Sequence, residues 1–568
     1  MLIRFGLREL LIIFLLIFTF NNYIGNSDST LGSDGIGYYD YLPALFIHDD
    51  LNRHKLNKDD PVYDRFQERS IFAEHKDRVV NKCFCGTSLL ISPFFFKTLW
   101  TIDDQNKELT GYETEFHTTV FHAALFYLFL GLIFIRMLLK EYGLQSVAIV
   151  SVQILAVFAT SIPQYVNADA GFSHVYSFFA ISAFLYFSKR YFKSPTTKSF
   201  LFACVFFGLI FILRPINIMI VCFLPFIAGD WNTFKTGIVE IIKPYSRIIV
   251  GIPILLAFIG MQCYLWFLQT GDFIVYSYPG EGFNFSNPHF YDVLFSYRKG
   301  LFVYAPILLF SFLSFFYLLS KREYYIGLTW LGGFVSITYI ISSWHSWYYG
   351  YSYGSRAFID YYPLFFIMVA IFLDRIVLSL KIIVLLLALP LVYLNIVQAY
   401  QYKASILHAM DMDMDKYWKV FLKTEDRYKW LVWKQETKLE NYRILDEFNL
   451  GSGKIEPNTD LELLNFSKNY EESISLVRIT IRDDFYEKSD SKILLEIVDS
   501  NTRKRIVYSA RYLIQFAEGD YGVTQNGYYD YIVEIPNDAK SERFRLVLEG
   551  DKNQKAYSDV KMEIYTDL

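Results

Sequence analysis

Asp34 and Asp40 stand in S-D-G-I-G-Y-Y-D-Y-L-P-A-L-F (33–46), which follows the first apolar run of the chain. Neither carboxylate is needed to hold an apolar helix together. A carboxylate in such a place can take a proton from a hydroxyl, the task of a general base. Gly35 would let a ligand approach the backbone beside Asp34, and Tyr38, Tyr39 and Tyr41 offer aromatic faces close by. A plain role fits the same residues: Ser33 or Asp34 capping an amphipathic helix over 36–47 that lies flat on a membrane. A second acid, Asp169, lies between Asn167 and His174 in P-Q-Y-V-N-A-D-A-G-F-S-H-V-Y (163–176). It suits either the positive end of the helix that follows or the second member of an acid pair serving base catalysis and substrate orientation.

Basic residues supply the complement. Arg214, in F-I-L-R-P-I-N (211–217), ends an apolar run. Charge at such a depth is costly and points to function, unless the side chain snorkels to the interface. Its fork of donors matches a phosphate. Arg298 and Lys299, in S-Y-R-K-G (296–300), directly precede another apolar run. The stretch S-S-W-H-S-W-Y-Y-G-Y-S-Y-G-S-R (342–356) brings Trp344, His345, Trp347 and Tyr353 together with Gly350, Gly354 and Arg356. An aromatic belt at a membrane interface accounts for the rings but not for the glycines or the arginine. Flat rings beside polar groups also suit stacking on a sugar.

What must position these residues follows from hydropathy. The 568-residue chain is 53% hydrophobic and 19% aromatic, with a mean hydropathy of +0.24, too apolar for an ordinary soluble domain of this size. Of its 54 Lys and Arg and 58 Asp and Glu, half fall after residue 400. This unevenness predicts a membrane region over 1–400, a linker over 401–419 and a soluble domain over 420–568. A net charge of −4, with no basic stripe, argues against a nucleic-acid partner. Five cysteines are too few for a disulfide framework. Cys204, Cys222 and Cys263 fall in apolar runs as small hydrophobes, and Cys83 and Cys85 lack the partners of a zinc site.

A hydrocarbon core takes about 20 apolar residues per helix, fewer when the helix is anchored. Residues 9–24 read as an uncleaved signal anchor, with Arg4 and Arg8 ahead of them and no small-residue cleavage site behind. Further spans are expected at 116–138, 144–162, 172–188, 198–214, 216–229, 247–268, 301–320, 325–342, 357–377 and 381–400, eleven in all. With the N-terminus inside, the basic segments 188–198, 234–247, 320–322 and 374–381 all fall on the cytoplasmic side. Loops 25–115, 269–300 and 343–356 and the C-terminal domain then face out, on the periplasmic side of an inner (plasma) membrane. Arg298 and Lys299 run against that charge trend, which favours a binding role for them. In the tail, S-L-V-R-I-T-I-R (475–482), K-I-L-L-E-I-V-D (492–499), D-Y-I-V-E-I (530–535) and F-R-L-V-L-E (544–549) alternate with period two. Bounded by Asn, Asp and Gly turns, they predict an antiparallel β-sandwich.

Over 1–400 the chain resembles the polytopic C-type (GT-C) glycosyltransferases that use polyprenyl-linked sugars, a superfamily that includes protein mannosyltransferases and aminoarabinose transferases. The resemblance rests on the first outer loop beginning D-G-I-G-Y-Y, on Asp169, on the helix-end R-P, and on W-H-S-W-Y-Y-G-Y-S-Y-G-S-R, which is most similar to bacterial members. It implies transfer of a sugar from a lipid-phosphate donor to a glycan, lipid or protein acceptor on the outer face, with inversion at the anomeric carbon. The family's first-loop base maps to Asp34, and Arg214, Arg298, Lys299 and Arg356 become the residues that steady the departing phosphate. Tyr38, Tyr39, His174, Trp344, His345, Trp347 and Tyr353 become substrate contacts. Asp34 is followed by Gly where several members carry a second acid, so Asp34, Asp40 and Asp169 all stand as possible bases. No cofactor beyond the polyprenyl-phosphate sugar is implied; a divalent metal is compatible with the scheme, but no residue set asks for one. A lipid-linked glycan flippase or a scaffold presenting the β-domain are the alternatives. The flippase expects inverted repeats and mid-bilayer ionisable groups, and the scaffold leaves the outer acids unexplained.

Overall fold

A computed structural model describes residues 7–24, 30–51, 71–76, 78–102, 109–242, 245–425, 428–429, 432–433, 442–455, 459–470, 472–482, 492–499, 505–512, 528–535, 541–549 and 555–567. Arg4, residue 243 of the second basic segment, and residues 52–70 and 103–108 of the first outer loop lie outside the described residues. The chain divides into two compact units, Met1–Tyr400 with Ala409–Met414, and Gln401–His408 with Asp415–Leu568.

The first unit is helical. Five helices among the described residues are long and apolar enough to cross a membrane: Thr114–Glu141, Arg247–Thr270, Tyr324–Ser343, Arg356–Arg375 and Leu378–Lys403. The other six expected spans fall on helices that are shorter, broken or less apolar, so the expected eleven reduce to five by this measure. Residues 301–320, for instance, divide into Leu301–Tyr304, a 3-10 turn Pro306–Leu309 and Phe310–Ser320, because Pro306 lacks the amide that an unbroken helix would use. Arg356–Arg375 is 94% buried over its apolar window and Arg247–Thr270 only 11%. The former is therefore the centre of this unit, and the latter presents most of its surface outward. At the other end of the first unit Glu9 is wholly buried between Arg136 Nε at 2.8 Å and Lys140 Nζ at 2.7 Å, which ties the first helix, Leu7–Thr19, to Thr114–Glu141.

The helix expected over 36–47 is two short helices, Asp34–Tyr39 and Tyr41–Phe46. Ser33 makes no side-chain cap bond, and Asp34 is the first helical residue rather than the cap. Gly35 through Tyr39 and Tyr41 through Ala44 are buried, so this segment packs into the unit instead of lying flat on a membrane surface. A hairpin follows, β1 (Phe72–His75) with β2 (Arg78–Asn81), then the apolar helix Gly86–Thr101 inside the stretch read as outer loop.

Among its described residues the second unit carries eight strands, β3 (Tyr442–Ile455), β4 (Asp460–Asn469), β5 (Leu476–Arg482), β6 (Lys492–Asp499), β7 (Arg505–Tyr512), β8 (Tyr528–Glu534), β9 (Ser541–Glu549) and β10 (Lys555–Asp567). They form two antiparallel sheets of order β3-β10-β5-β8 and β4-β9-β6-β7. Val477, Ile479 and Ile481 of one sheet and Ile493, Leu495 and Ile497 of the other are buried in one shared core, as the period-two alternation requires. A fragment beginning at residue 420 is accordingly expected to be soluble with a β-type circular dichroism spectrum; a helical or unfolded spectrum would refute an independent β-domain.

Candidate active site

Asp34 is placed by a close backbone approach that glycine favours. A Cβ on Gly171 would sit 3.1 Å from both Cα and the carbonyl O of Gly35, and one on Gly35 would sit 3.3 Å from the Gly171 backbone. These are backbone atoms, with less room to give than a side chain, so the segment carrying Asp34 rests directly on the turn before His174–Lys193. Gly35 thus admits a second loop, where the sequence suggested a ligand. Asn81 Nδ2 donates to the Gly37 carbonyl at 2.8 Å and Tyr41 Oη to that of Cys83 at 2.8 Å, holding the same segment to the end of the hairpin.

Arg214 is placed by the proline after it. A residue before proline is disfavoured in the α region, so helix Thr197–Leu213 ends there, and Arg214 is extended at φ −155° and ψ 112°. The 3-10 helix Pro215–Phe223 then begins. Gly86 lets this end settle close: a Cβ there would be 2.6 Å from the Ile212 carbonyl. Arg214 Nη1 lies 3.4 Å from Asp360 Oδ2 and 3.0 Å from His174 Nδ1. Asp360 also faces His174 Nδ1 at 2.8 Å and accepts from Asn217 Nδ2 at 2.7 Å.

One cavity of about 820 Å³ gathers these groups. Asp34, Tyr38, His174, Arg214, Trp344, His345 and Arg356 all line it. Asp34 Oδ2 pairs with Arg356 Nη2 at 2.7 Å; the Asp34 side chain is 41% exposed and that of Arg356 only 11%. The Arg356 guanidinium also lies 5.1 Å over the Phe172 ring, and its Nη1 is buried without a partner among the described residues. A buried cationic donor without an acceptor is costly, and an anion in the cavity would satisfy it. Arg356 follows Gly354, whose φ is +62° and whose Cβ would meet Tyr304 at 2.9 Å, so the second glycine of the aromatic loop is needed to turn the chain towards the cavity. Burial raises the Tyr38 phenol well above its ordinary value, which keeps its proton available as a donor at neutral pH.

The cavity lining also includes residues that spacing did not reveal. Lys82 Nζ pairs with Glu281 Oε1 at 2.7 Å, and His345 Nε2 stands 4.0 Å from Glu281 Oε2. Trp344 meets Tyr278 edge to face at 6.0 Å. Ile216, Met219 and Ile340 add an apolar side. Among the described residues, no group of three or more His, Cys, Asp or Glu could hold a metal ion.

The remaining expected site residues do not line this cavity. Asp40 is buried and accepts from Tyr112 Oη at 2.7 Å, and Tyr39 Oη donates to the Gly111 carbonyl at 2.8 Å, so both fasten the loop before Thr114–Glu141. Asp169 is bonded by Gln164 Nε2 at 3.1 Å, and burial pushes its carboxyl up to about 6 against that bond. Arg298 Nε donates to the Met410 carbonyl at 2.8 Å, and its guanidinium stacks 3.7 Å over the Tyr348 ring. Lys299 is buried and donates to the carbonyls of Ser352 and Ala409, the latter at 2.5 Å. Burial and the nearby Arg356 and Arg298 drive its ammonium well below the ordinary lysine range. The two cations thus pin the aromatic loop to residues 409–410 instead of facing the cavity. Trp347 stacks on His289 at 5.5 Å, and Tyr353 is buried with its hydroxyl 3.4 Å from the Asn395 carbonyl.

No family model and no curated protein matches this sequence. Solved structures with some likeness include the archaeal oligosaccharyltransferase AglB from Archaeoglobus fulgidus in complex with an inhibitory peptide and a dolichol-phosphate, at TM-score 0.40 and 10% identity over 74% of this chain and 59% of that one. The oligosaccharyltransferase of the same organism in complex with Zn and sulfate gives TM-score 0.40 and 13% identity, over 74% of this chain and 58% of that one. A subviral particle of infectious bursal disease virus VP2 gives TM-score 0.17 and 10% identity over 22% of this chain and 33% of that one. The chain thus spans less than two thirds of the length of each of these structures, and the functional reading rests on the cavity alone.

Proposed function

We propose that this protein is a membrane glycosyltransferase of the C-type kind. It moves a sugar from a polyprenyl-phosphate-linked donor to an acceptor hydroxyl on the extracytoplasmic face. The observation that carries this reading is one cavity lined by the part-exposed Asp34 carboxylate, the Arg214 and Arg356 guanidinium groups and apolar residues. In the proposed step Asp34 takes the acceptor hydroxyl proton while the acceptor oxygen attacks the anomeric carbon opposite the phosphate. The bond from that carbon to the phosphate oxygen breaks, and polyprenyl phosphate leaves with the electron pair, so the anomeric configuration inverts. Arg214 and Arg356 stabilise the charge gathering on the phosphate, an effect strongest in a site shielded from water. Ile216, Met219 and Ile340 suit the first isoprene units, and Trp344 suits a sugar ring. A part-exposed carboxylate beside two guanidinium groups suits proton removal next to a phosphate, a task that a scaffold does not have.

The direct test is to supply the purified protein with a panel of polyprenyl-phosphate sugars, together with glycan, lipid and peptide acceptors bearing free hydroxyls, and measure released polyprenyl phosphate. Release with one or more of them, stopped by Asp34→Asn, supports the reading; no release with any overturns it. The sidedness has its own check. A reporter fused after residue 420 is expected to be active only outside the cytoplasm, as the Lys and Arg asymmetry requires. Cytoplasmic activity would put every proposed site residue on the wrong side.

A further inference from the structure

Asp360 is a carboxylate that neither base catalysis nor surface ion pairing accounts for. Its side chain is wholly buried at the start of the otherwise apolar Arg356–Arg375 segment, where ionisable groups are costly and are kept for a task. Three donors converge on it, from His174, Asn217 and Arg214. His174 and Arg214 line the cavity; Asp360 and Asn217 do not. The lengths rank the contacts. Bonds of 2.8 and 2.7 Å to His174 and Asn217 hold the carboxylate, while Arg214 at 3.4 Å is held loosely and has five N–H donors to offer. His174 Nδ1 cannot both donate to Asp360 and accept from Arg214 Nη1. With Asp360 ionised, the proton sits on Nδ1, leaving Nε2 as the ring's acceptor.

We infer that Asp360 is a positioning residue that acts through Arg214 and His174. It presents the Arg214 guanidinium to the phosphate of the lipid-linked donor and sets the His174 tautomer whose Nε2 accepts a hydrogen bond from a sugar hydroxyl. The inference rests on the glycosyltransferase reading above. The chain then uses two Arg–Asp pairs differently. In one the acid is open to the cavity and reacts; in the other it is sealed and orients.

The test separates binding from transfer. Farnesyl phosphate, a short lipid phosphate, is titrated onto the purified full-length protein in detergent. Saturable binding to the wild type is expected, weakened about tenfold by Asp360→Asn and about tenfold by Arg214→Lys, the loss of one charge-assisted contact. Because one residue acts through the other, the double variant should bind no more weakly than the weaker single variant. In transfer kinetics with Asp360→Asn, the KM for the donor should rise while that for the acceptor stays, a split that general loosening of the fold would not produce. Asn217→Ala, outside the cavity, should weaken farnesyl phosphate binding about threefold through one lost neutral bond, which keeps the test alive if Asp360→Asn fails to fold. Additive losses in the double variant, or wild-type binding by Asp360→Asn or Asn217→Ala, would overturn the inference and leave Asp34 as base untouched. A wild type that binds no farnesyl phosphate would overturn the donor reading and this inference with it.

Discussion

Asp34→Asn is expected to express at the wild-type level yet lose sugar transfer by about a hundredfold to ten-thousandfold, the usual contribution of a general base. Asparagine keeps the shape and can still accept from Arg356 through its carbonyl oxygen, so the pair seen at 2.7 Å is weakened without emptying the site. What it cannot do is take a proton. Asp40→Asn should leave transfer near normal and cost only about 1 kcal/mol of stability, because that carboxylate holds Tyr112 away from the cavity. The pH profile gives a second, independent reading. With its carboxyl at about 6, Asp169 acting as the base would be protonated below that value. Transfer would then rise about tenfold per pH unit up to roughly pH 6 and level off above it. Such a profile, together with an Asp34→Asn protein that transfers normally, would move the base to Asp169.

Arg214→Ala is the second large effect expected, and it acts on the donor. Removing a guanidinium that contacts phosphate loses charge-assisted bonds of about 1.5–3 kcal/mol each, a rise in donor KM of roughly tenfold to a hundredfold. The acceptor KM should not move, since the acceptor meets Asp34. Arg214→Ala also leaves Asp360 buried with only neutral donors, and breaking a buried pair from one side commonly costs about 3–5 kcal/mol. A lowered Tm should therefore accompany the kinetic defect, and adding Asp360→Asn should restore much of it. A donor KM equal to that of the wild type would remove Arg214 from the phosphate site.

The apolar runs and the four alternating strands were legible because each depends on local composition or period. Asp34, Arg214 and Arg356 stood out as charges where apolar or aromatic surroundings offer no plain reason for charge. Asp360 could have been found by the same rule, since it lies four residues after Arg356 inside an expected span, but the neighbouring aromatics drew attention instead. Lys82 and Glu281 were beyond reach. They lie in separate loops far apart in the chain, and only the hairpin and the 271–289 loop folding over one cavity bring them to 2.7 Å. Arg298 and Lys299 misled for a physical reason. A cation before an outer span suggests an anion, yet buried carbonyls can satisfy it equally well.

The buried carboxylate also bears on how the chain is made. An aspartate inside a helix entering the bilayer costs about 2.5–3.5 kcal/mol at the membrane centre when it enters alone. The ribosome delivers His174, Arg214 and Asn217 well before Asp360, so the three donors are made before the acid that they hold. Arg214 waits for its counter-charge while nearly 150 further residues are synthesised. Until the Arg356–Arg375 helix docks, Arg214 lacks the buried carboxylate that its guanidinium faces at 3.4 Å.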